Sequence, residues 1–206
     1  MLRLAKLISV VFHPLGMPLG IFIIALLFDP YFSNFFPPQL IGLFTVILLV
    51  NIIAPGISLY FMWKRGLIAD LDISKRSERW IPFFIVLVYY LLSYYMLRQR
   101  DLPVPFAVYS MFLGVIITLF VSIVINSIWK ISIHMMAAGG LVGTFAGLFI
   151  AHHYTNIGLL SGLIAIAAFV GFARIYTGNH TAAQVYAGFL VGFLLNFSAL
   201  ALGWIV

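Results

Sequence analysis

Apolar residues run through this chain in blocks that cover every face of a helix rather than one. Leu40 to Trp63 and Val104 to Asn126 contain no charged residue, and neither shows the polar stripe that marks a helix packed on a water-soluble core. A hydrocarbon layer about 30 Å thick takes about 20 residues of helix to cross. On that measure the pattern predicts spans near Leu7 to Phe28, Leu40 to Trp63, Ile81 to Leu97, Val104 to Asn126, Ile133 to Ala151, Ile157 to Phe172 and Ala182 to Ile205. That is about seven crossings, or six if the short third or sixth segment is tilted or only partly inserted. Turn residues separate them: Asp29-Pro30 with Pro37-Pro38, Asp101-Leu102-Pro103 with Pro105, and Tyr154-Thr155-Asn156-Ile157-Gly158. The expected fold class is all-α, a polytopic membrane helix bundle of about six or seven transmembrane helices, with residues 1–206 forming a single membrane domain.

Composition agrees with the pattern. The chain is 64% hydrophobic and 8% charged, against about 25% charged in ordinary soluble domains, and its mean hydropathy is +1.17. No water-soluble fold hides that much apolar surface. Arg3 and Lys6 before an apolar run superficially resemble a secretory signal, but Pro14 and Pro18 interrupt the run and no small-residue cleavage site follows, so the segment reads as a retained first span. The absence of cysteine excludes disulfides, thiol chemistry and zinc-thiolate sites.

The net charge of +6 raises the question of a nucleic-acid partner, yet basic nucleic-acid domains gather their charge on soluble faces. Here the charges sit in loops between spans, so no nucleic-acid partner is expected and the membrane with an anionic or phosphorylated lipid is. If the spans alternate, one side collects Arg3, Lys6, Lys64, Arg65, Lys75, Arg76, Arg79, Lys130 and Arg174, while the other holds Arg98 and Arg100. The positive-inside rule places the richer side in the cytoplasm. Gly139, Gly143 and Gly147 in the fifth span, and Gly188 and Gly192 in the last, repeat every four residues. Such spacing makes a flat face for close helix packing, which is scaffold and not chemistry.

Chemistry is concentrated where the sixth span turns into the seventh, in Ala173-Arg174-Ile175-Tyr176-Thr177-Gly178-Asn179-His180-Thr181-Ala182-Ala183-Gln184-Val185-Tyr186-Ala187-Gly188. Arg174 and His180 flank a Gly-Asn turn at the membrane interface. Gln184 follows His180 by four residues, so a helix starting near His180 puts the two on one face. A guanidinium for phosphate oxygens, an imidazole, and a group to orient that imidazole form a coherent set.

This segment resembles the third motif of the type 2 phosphatidic acid phosphatase superfamily, Ser-Arg-x5-His-x3-Asp, commonly followed by Val-x-x-Gly. Arg174, His180, Val185 and Gly188 match in register, while Ala173 stands for the Ser and Gln184 for the Asp. Ile131-Ser132-Ile133-His134 is similar to the second motif, Pro-Ser-Gly-His, in its Ser and His, and lies two crossings earlier, which returns both motifs to one face. The first motif, Lys-x6-Arg-Pro, has its nearest counterpart in the loop from Asp70 to Pro82, with Lys75 and Arg79 as candidates, Arg76 as a substitute in either role, and Glu78 as a competing partner in a salt bridge. Lys75 and Arg79 are an i,i+4 pair if that loop is helical. The motif region is 70–188.

The resemblance implies two-step phosphoryl transfer with no metal and no cofactor. His180 would be the nucleophile and His134 the general acid; Lys75, Arg79, Ser132 and Arg174 would hold phosphate oxygens, and Gln184 would orient His180. It further implies an integral protein of a bacterial inner (plasma) membrane acting on a lipid phosphate or a polyprenyl diphosphate. Gln184 accepts the orienting hydrogen bond without the charge of an aspartate, so the alternative is a catalytically impaired relative that binds or transports a lipid phosphate. Asp70 and Asp72 also suggest a magnesium-diphosphate site of the membrane-prenyltransferase kind, but Asp29, Glu78 and Asp101 build no second acidic cluster. A transporter is a further class; the spans' interiors hold hardly any ionisable group for ion coupling.

Overall fold

The computed structural model describes residues 1–34, 37–99 and 104–203. Among them the chain forms eight helices and no strand: α1 (Leu2–Val11), α2 (Met17–Phe28), α3 (Pro37–Lys64), α4 (Trp80–Gln99), α5 (Phe106–Ile128), α6 (Ile133–Ala151), α7 (Ile157–Tyr176) and α8 (Ala182–Ala201). Helices α3 to α8 are long and apolar enough to cross a membrane, as an integral membrane protein requires. Arg100, the Asp101 to Pro103 turn and the expected end of the last span at Ile205 lie outside the described residues.

The expected first span from Leu7 to Phe28 is instead two helices, broken at Phe12 to Gly16. Pro14 has no N–H to donate and disfavours helix in the residue before it, and Gly16 adds backbone freedom. The segment still follows α6 from end to end: the His13 ring packs edge-on against His134 in the first turn of α6, with centroids 5.5 Å apart, and Asp29 accepts a hydrogen bond from His152 just past its last turn, at 2.8 Å. α1 is the most amphipathic helix of the chain. It buries Ala5 and Ser9 against α7 and leaves Leu4, Leu7, Val10 and the cations Arg3 and Lys6 outside.

α6 is the central helix, with 78% of its most apolar stretch buried against 28% to 33% in the other five. Its closest partner is α8, and the glycines explain why. A Cβ added at Gly139 would strike the Phe189 carbonyl, one at Gly143 the Phe193 carbonyl, and one at Gly192 the Met136 carbonyl. The contacts Gly139–Phe189, Gly143–Phe193 and Gly147–Phe197 climb together along the sequence, as do Ser132–Gly188 and Met136–Gly192, so α6 and α8 run parallel. In hydrocarbon there is no hydrophobic force between helices, and backbone approach of this kind is what holds them. α5 joins the same core through Asn196 Nδ2, which donates to Thr118 Oγ1 at 3.0 Å. α3 contains a wide π-helical turn at Ile47–Ile53 and is tied to α4 by Ser93 donating to buried Asn51 at 3.1 Å.

Candidate functional site

Parallel packing of α6 and α8 is what assembles the site. Each helix begins at the same face of the bundle, so Ser132 and His134 at the start of α6 lie beside His180 and Gln184 at the start of α8. The Ser132 N–H donates to the Gln184 carbonyl at 3.4 Å. The turn from α7 into α8 needs a left-handed residue, supplied by Gly178 at φ +70°. Thr181 then caps α8: its hydroxyl accepts from the Gln184 N–H, and the Gln184 side chain accepts from the Thr181 N–H, a reciprocal box.

The same Gln184 oxygen, Oε1, lies 3.0 Å from His180 Nδ1. An oxygen acceptor there places the imidazole proton on Nδ1 and leaves Nε2 with its lone pair. His180 is buried, and burial pushes it down to about 3; the Gln184 bond opposes this, and the charges of Arg79, Arg174 and Lys130 reinforce it. Lys130, whose ammonium donates to the Asn179 carbonyl at 3.0 Å, is held below its ordinary value by burial and by the same two arginines. At neutral pH the His180 ring is therefore uncharged and nucleophilic in form.

Both arginines are buried. Arg79 donates from Nε to the Ile73 carbonyl at 2.8 Å and from Nη1 to the Ile131 carbonyl at 3.0 Å, which joins the loop before α4 to the segment before α6. Ile73 sits at φ +48°, a strained conformation for a β-branched side chain. That turn presents its carbonyl to Arg79 and brings Asp72 within 3.5 Å of Arg174 Nη1. Arg174 is only 1% exposed and Ser132 fully buried. Arg174 Nε and Ser132 Oγ nevertheless have no hydrogen-bond partner. Buried donors without partners are rare and costly, and here two fall in one constellation.

No family model, curated protein or solved structure matches this chain. The site is therefore read from its own geometry. Its polar end is lined by His13, Asp72, Arg79, His134, Arg174 and His180. From there a cavity of about 1110 Å³, counted to its open mouth, descends between α2, α4, α5, α6 and α8 past Met17, Phe83, Tyr90, Val115 and Gly140. Below the charged rim its walls are mostly apolar, with Thr118, Ser122 and Asn196 as the polar exceptions on α5 and α8.

Of the residues proposed from sequence, Arg79, Ser132, His134, Arg174, His180 and Gln184 are brought together, and Lys75 is not. Lys75 is 65% exposed and paired with Glu78 at 3.1 Å. The i,i+4 relation to Arg79 does not form, because Lys75 is extended, with ψ 127°, and only a short 3-10 turn at Arg76–Glu78 follows. Arg76 donates to the Asn126 and Ser127 carbonyls and anchors the loop to the end of α5. Asp70 accepts from the Ser74 backbone and hydroxyl, both at 3.1 Å, shaping its own loop. Among the described residues no group of three or more His, Asp or Glu is placed to hold a metal ion.

Sequence reasoning missed the N-terminal contribution. His134 Nε2 lies 3.1 Å from the Ser9 carbonyl of α1, which fixes the ring with a proton on that nitrogen. His13 Nδ1 accepts from the Leu15 N–H at 3.3 Å, so its Nε2 carries the proton. The only sequence signal for His13 was a polar residue beside the proline that breaks the first span.

Proposed function

We propose that this protein is a membrane phosphatase that hydrolyses a lipid phosphate or polyprenyl diphosphate through a phosphohistidine, without a metal. The observation that carries this reading is the pair of orphaned buried donors, Arg174 Nε and Ser132 Oγ, beside a neutral His180 whose Nδ1 is held by Gln184. A phosphoryl group offers several acceptor oxygens to such donors, and phosphoryl transfer places its developing charge on the equatorial oxygens that fixed cations stabilise. The apolar cavity beneath the charged rim adds the second half of an amphiphilic ligand.

In the first step His180 Nε2 forms a bond to phosphorus while the ester P–O bond breaks. The leaving alkoxide takes a proton from His134 Nδ1, which first receives it from the protonated phosphate of the substrate, since Nε2–H is engaged by Ser9. Water then attacks the phosphohistidine, gives its proton back to His134, and releases inorganic phosphate with His180 restored. Arg174, Ser132 and the free end of the Arg79 guanidinium hold the phosphoryl oxygens throughout. Asp72 is displaced from Arg174 by the incoming anion.

Gln184 favours one rival reading, a relative that binds lipid phosphate but turns it over weakly, since its amide lacks the carboxylate charge that stabilises an imidazolium. A single experiment separates them. Purified protein in lipid nanodiscs containing phosphatidic acid and EDTA is expected to release inorganic phosphate, and His180→Asn to lower the rate at least about a thousandfold. Binding of the lipid without release leaves the rival. Release unaffected by His180→Asn contradicts the mechanism, and a strict need for magnesium contradicts its metal-free form.

A further inference from the structure

Two cavities meet inside the bundle. The larger one carries the charged rim; the second, of about 410 Å³ counted out to its open side, is lined by Phe22, Phe32, Leu43, Val108 and Phe112 among others, and its walls are entirely apolar. Pro18, Ile21, Tyr90 and Val115 belong to both, so they stand where the two meet. Tyr90 is buried and packs against Phe112 with ring centroids 6.0 Å apart.

Resting on the phosphatase reading above, we infer that one hydrocarbon chain of the substrate threads into this shaft, between α2 on one side and α4 and α5 on the other, with Tyr90 as the divider that sets the preferred chain length. The occupant follows from continuity: the apolar walls begin directly below the residues that take the phosphate, so a group attached to that phosphate enters them. The depth follows from helix geometry. From Arg79 to Tyr90 the chain of α4 rises roughly 16 Å at 1.5 Å per residue. An extended alkyl chain advances roughly 1.3 Å per methylene given its C–C bond length, so about a dozen carbons reach Tyr90. A longer chain enters the second chamber only by displacing that ring.

Moving a chain from lipid into an apolar shaft gains no hydrophobic energy, because both surroundings are hydrocarbon. The shaft therefore selects by length and shape, and the expected signature is a step rather than a steady rise with chain length. Octyl, dodecyl and hexadecyl phosphate presented in nanodiscs make the test, with phosphate release and the thermal midpoint of the protein both recorded. The kcat/KM is expected to agree within about threefold for the two shorter chains and to fall roughly tenfold for hexadecyl phosphate, the size of effect that steric overpacking produces. Tyr90→Ala is expected to bring hexadecyl phosphate within about threefold of dodecyl, and Val115→Trp to depress dodecyl phosphate more than octyl. Ile21→Phe serves in place of Val115→Trp if the latter does not fold.

The outcomes separate the two claims. Equal hydrolysis of all three chains, indifferent to Tyr90→Ala and to the blocking variant, overturns the shaft and leaves the phosphatase standing. No phosphate release, with thermal stabilisation that still steps down at hexadecyl phosphate and is relieved by Tyr90→Ala, overturns the hydrolysis and upholds the shaft.

Discussion

At the C-terminal end of α6 the buried carboxylate of Asp29 accepts from His152 Nδ1 at 2.8 Å and from the Tyr31 N–H at 2.8 Å, while the Tyr31 ring stacks on the imidazole at 4.5 Å. At the N-terminal end Arg79, Arg174, His134 and His180 are buried with one half-exposed carboxylate, Asp72, between them, and Arg174 Nε and Ser132 Oγ have no partner. The same helix thus carries a buried, paired carboxylate that acts as a lock at one end and a cationic cluster with bare donors at the other. Burying polar groups costs stability unless they are paired. A buried carboxylate that is paired holds the fold, and an end that leaves cationic donors bare is built around something the protein itself does not supply.

The largest expected effect falls on both ends at once. Gly192→Leu drives a side chain into the Met136 carbonyl and separates α6 from α8; folded protein should vanish from detergent extracts, as gel filtration would report, because the backbones have nowhere to retreat. Recovery of a normal monodisperse peak would mean that the parallel glycine seam does not hold the bundle.

Next in size is a pair of substitutions that should pull the ends apart. Asp29→Ala strips the partner from His152 and is expected to cost about 3 kcal/mol of stability with phosphate release per folded molecule preserved. Arg174→Met should do the opposite, leaving the thermal midpoint unchanged or higher while lipid-phosphate affinity falls at least about tenfold. Equal losses of stability from both would erase the distinction between lock and site.

A smaller effect is the pH dependence contributed by His180. Its folded value of about 3 lies below the ordinary 6.5, so between these values the unfolded chain binds a proton that the folded protein does not. Its contribution to stability is therefore complete above about pH 6.5 and shrinks as pH falls toward 3. The midpoint of the wild type should climb with pH across this window more steeply than that of His180→Asn. The smallest effect belongs to Lys75→Ala, which removes the Lys75–Glu78 ion pair at the surface and should move the thermal midpoint by less than about 2 °C and activity by less than about twofold.

Long helices were legible because uniform hydropathy reports burial in lipid directly, and α3 through α8 fall where the apolar blocks do. Pro14 interrupts the first apolar run already in the sequence, but hydropathy averages over a proline among apolar neighbours, so the split into two helices was not legible. Within the site, Arg174, His180 and Gln184 were legible because they lie on one turn, and Ser132 and His134 because an even number of crossings returns to the same face. His13, Ser9 and Asp72 were not, because their approach depends on how α1 and the loop before α4 fold onto α6 and α7, and no periodicity encodes that. Lys75 was misplaced for a related reason: its pairing with Arg79 presumed a helix that the extended backbone at Lys75 does not make.

The central claim is that His180 accepts the phosphoryl group. Rapid quenching of the protein during turnover of a lipid phosphate labelled with ³²P tests it, since a phosphohistidine is labile in acid and survives alkali. The account predicts an alkali-stable label on the peptide carrying His180, absent in His180→Asn and accumulating in His134→Asn if the departing group is activated enough to leave unaided. Label on another residue, or steady phosphate release with no trapped label at His180, would contradict it.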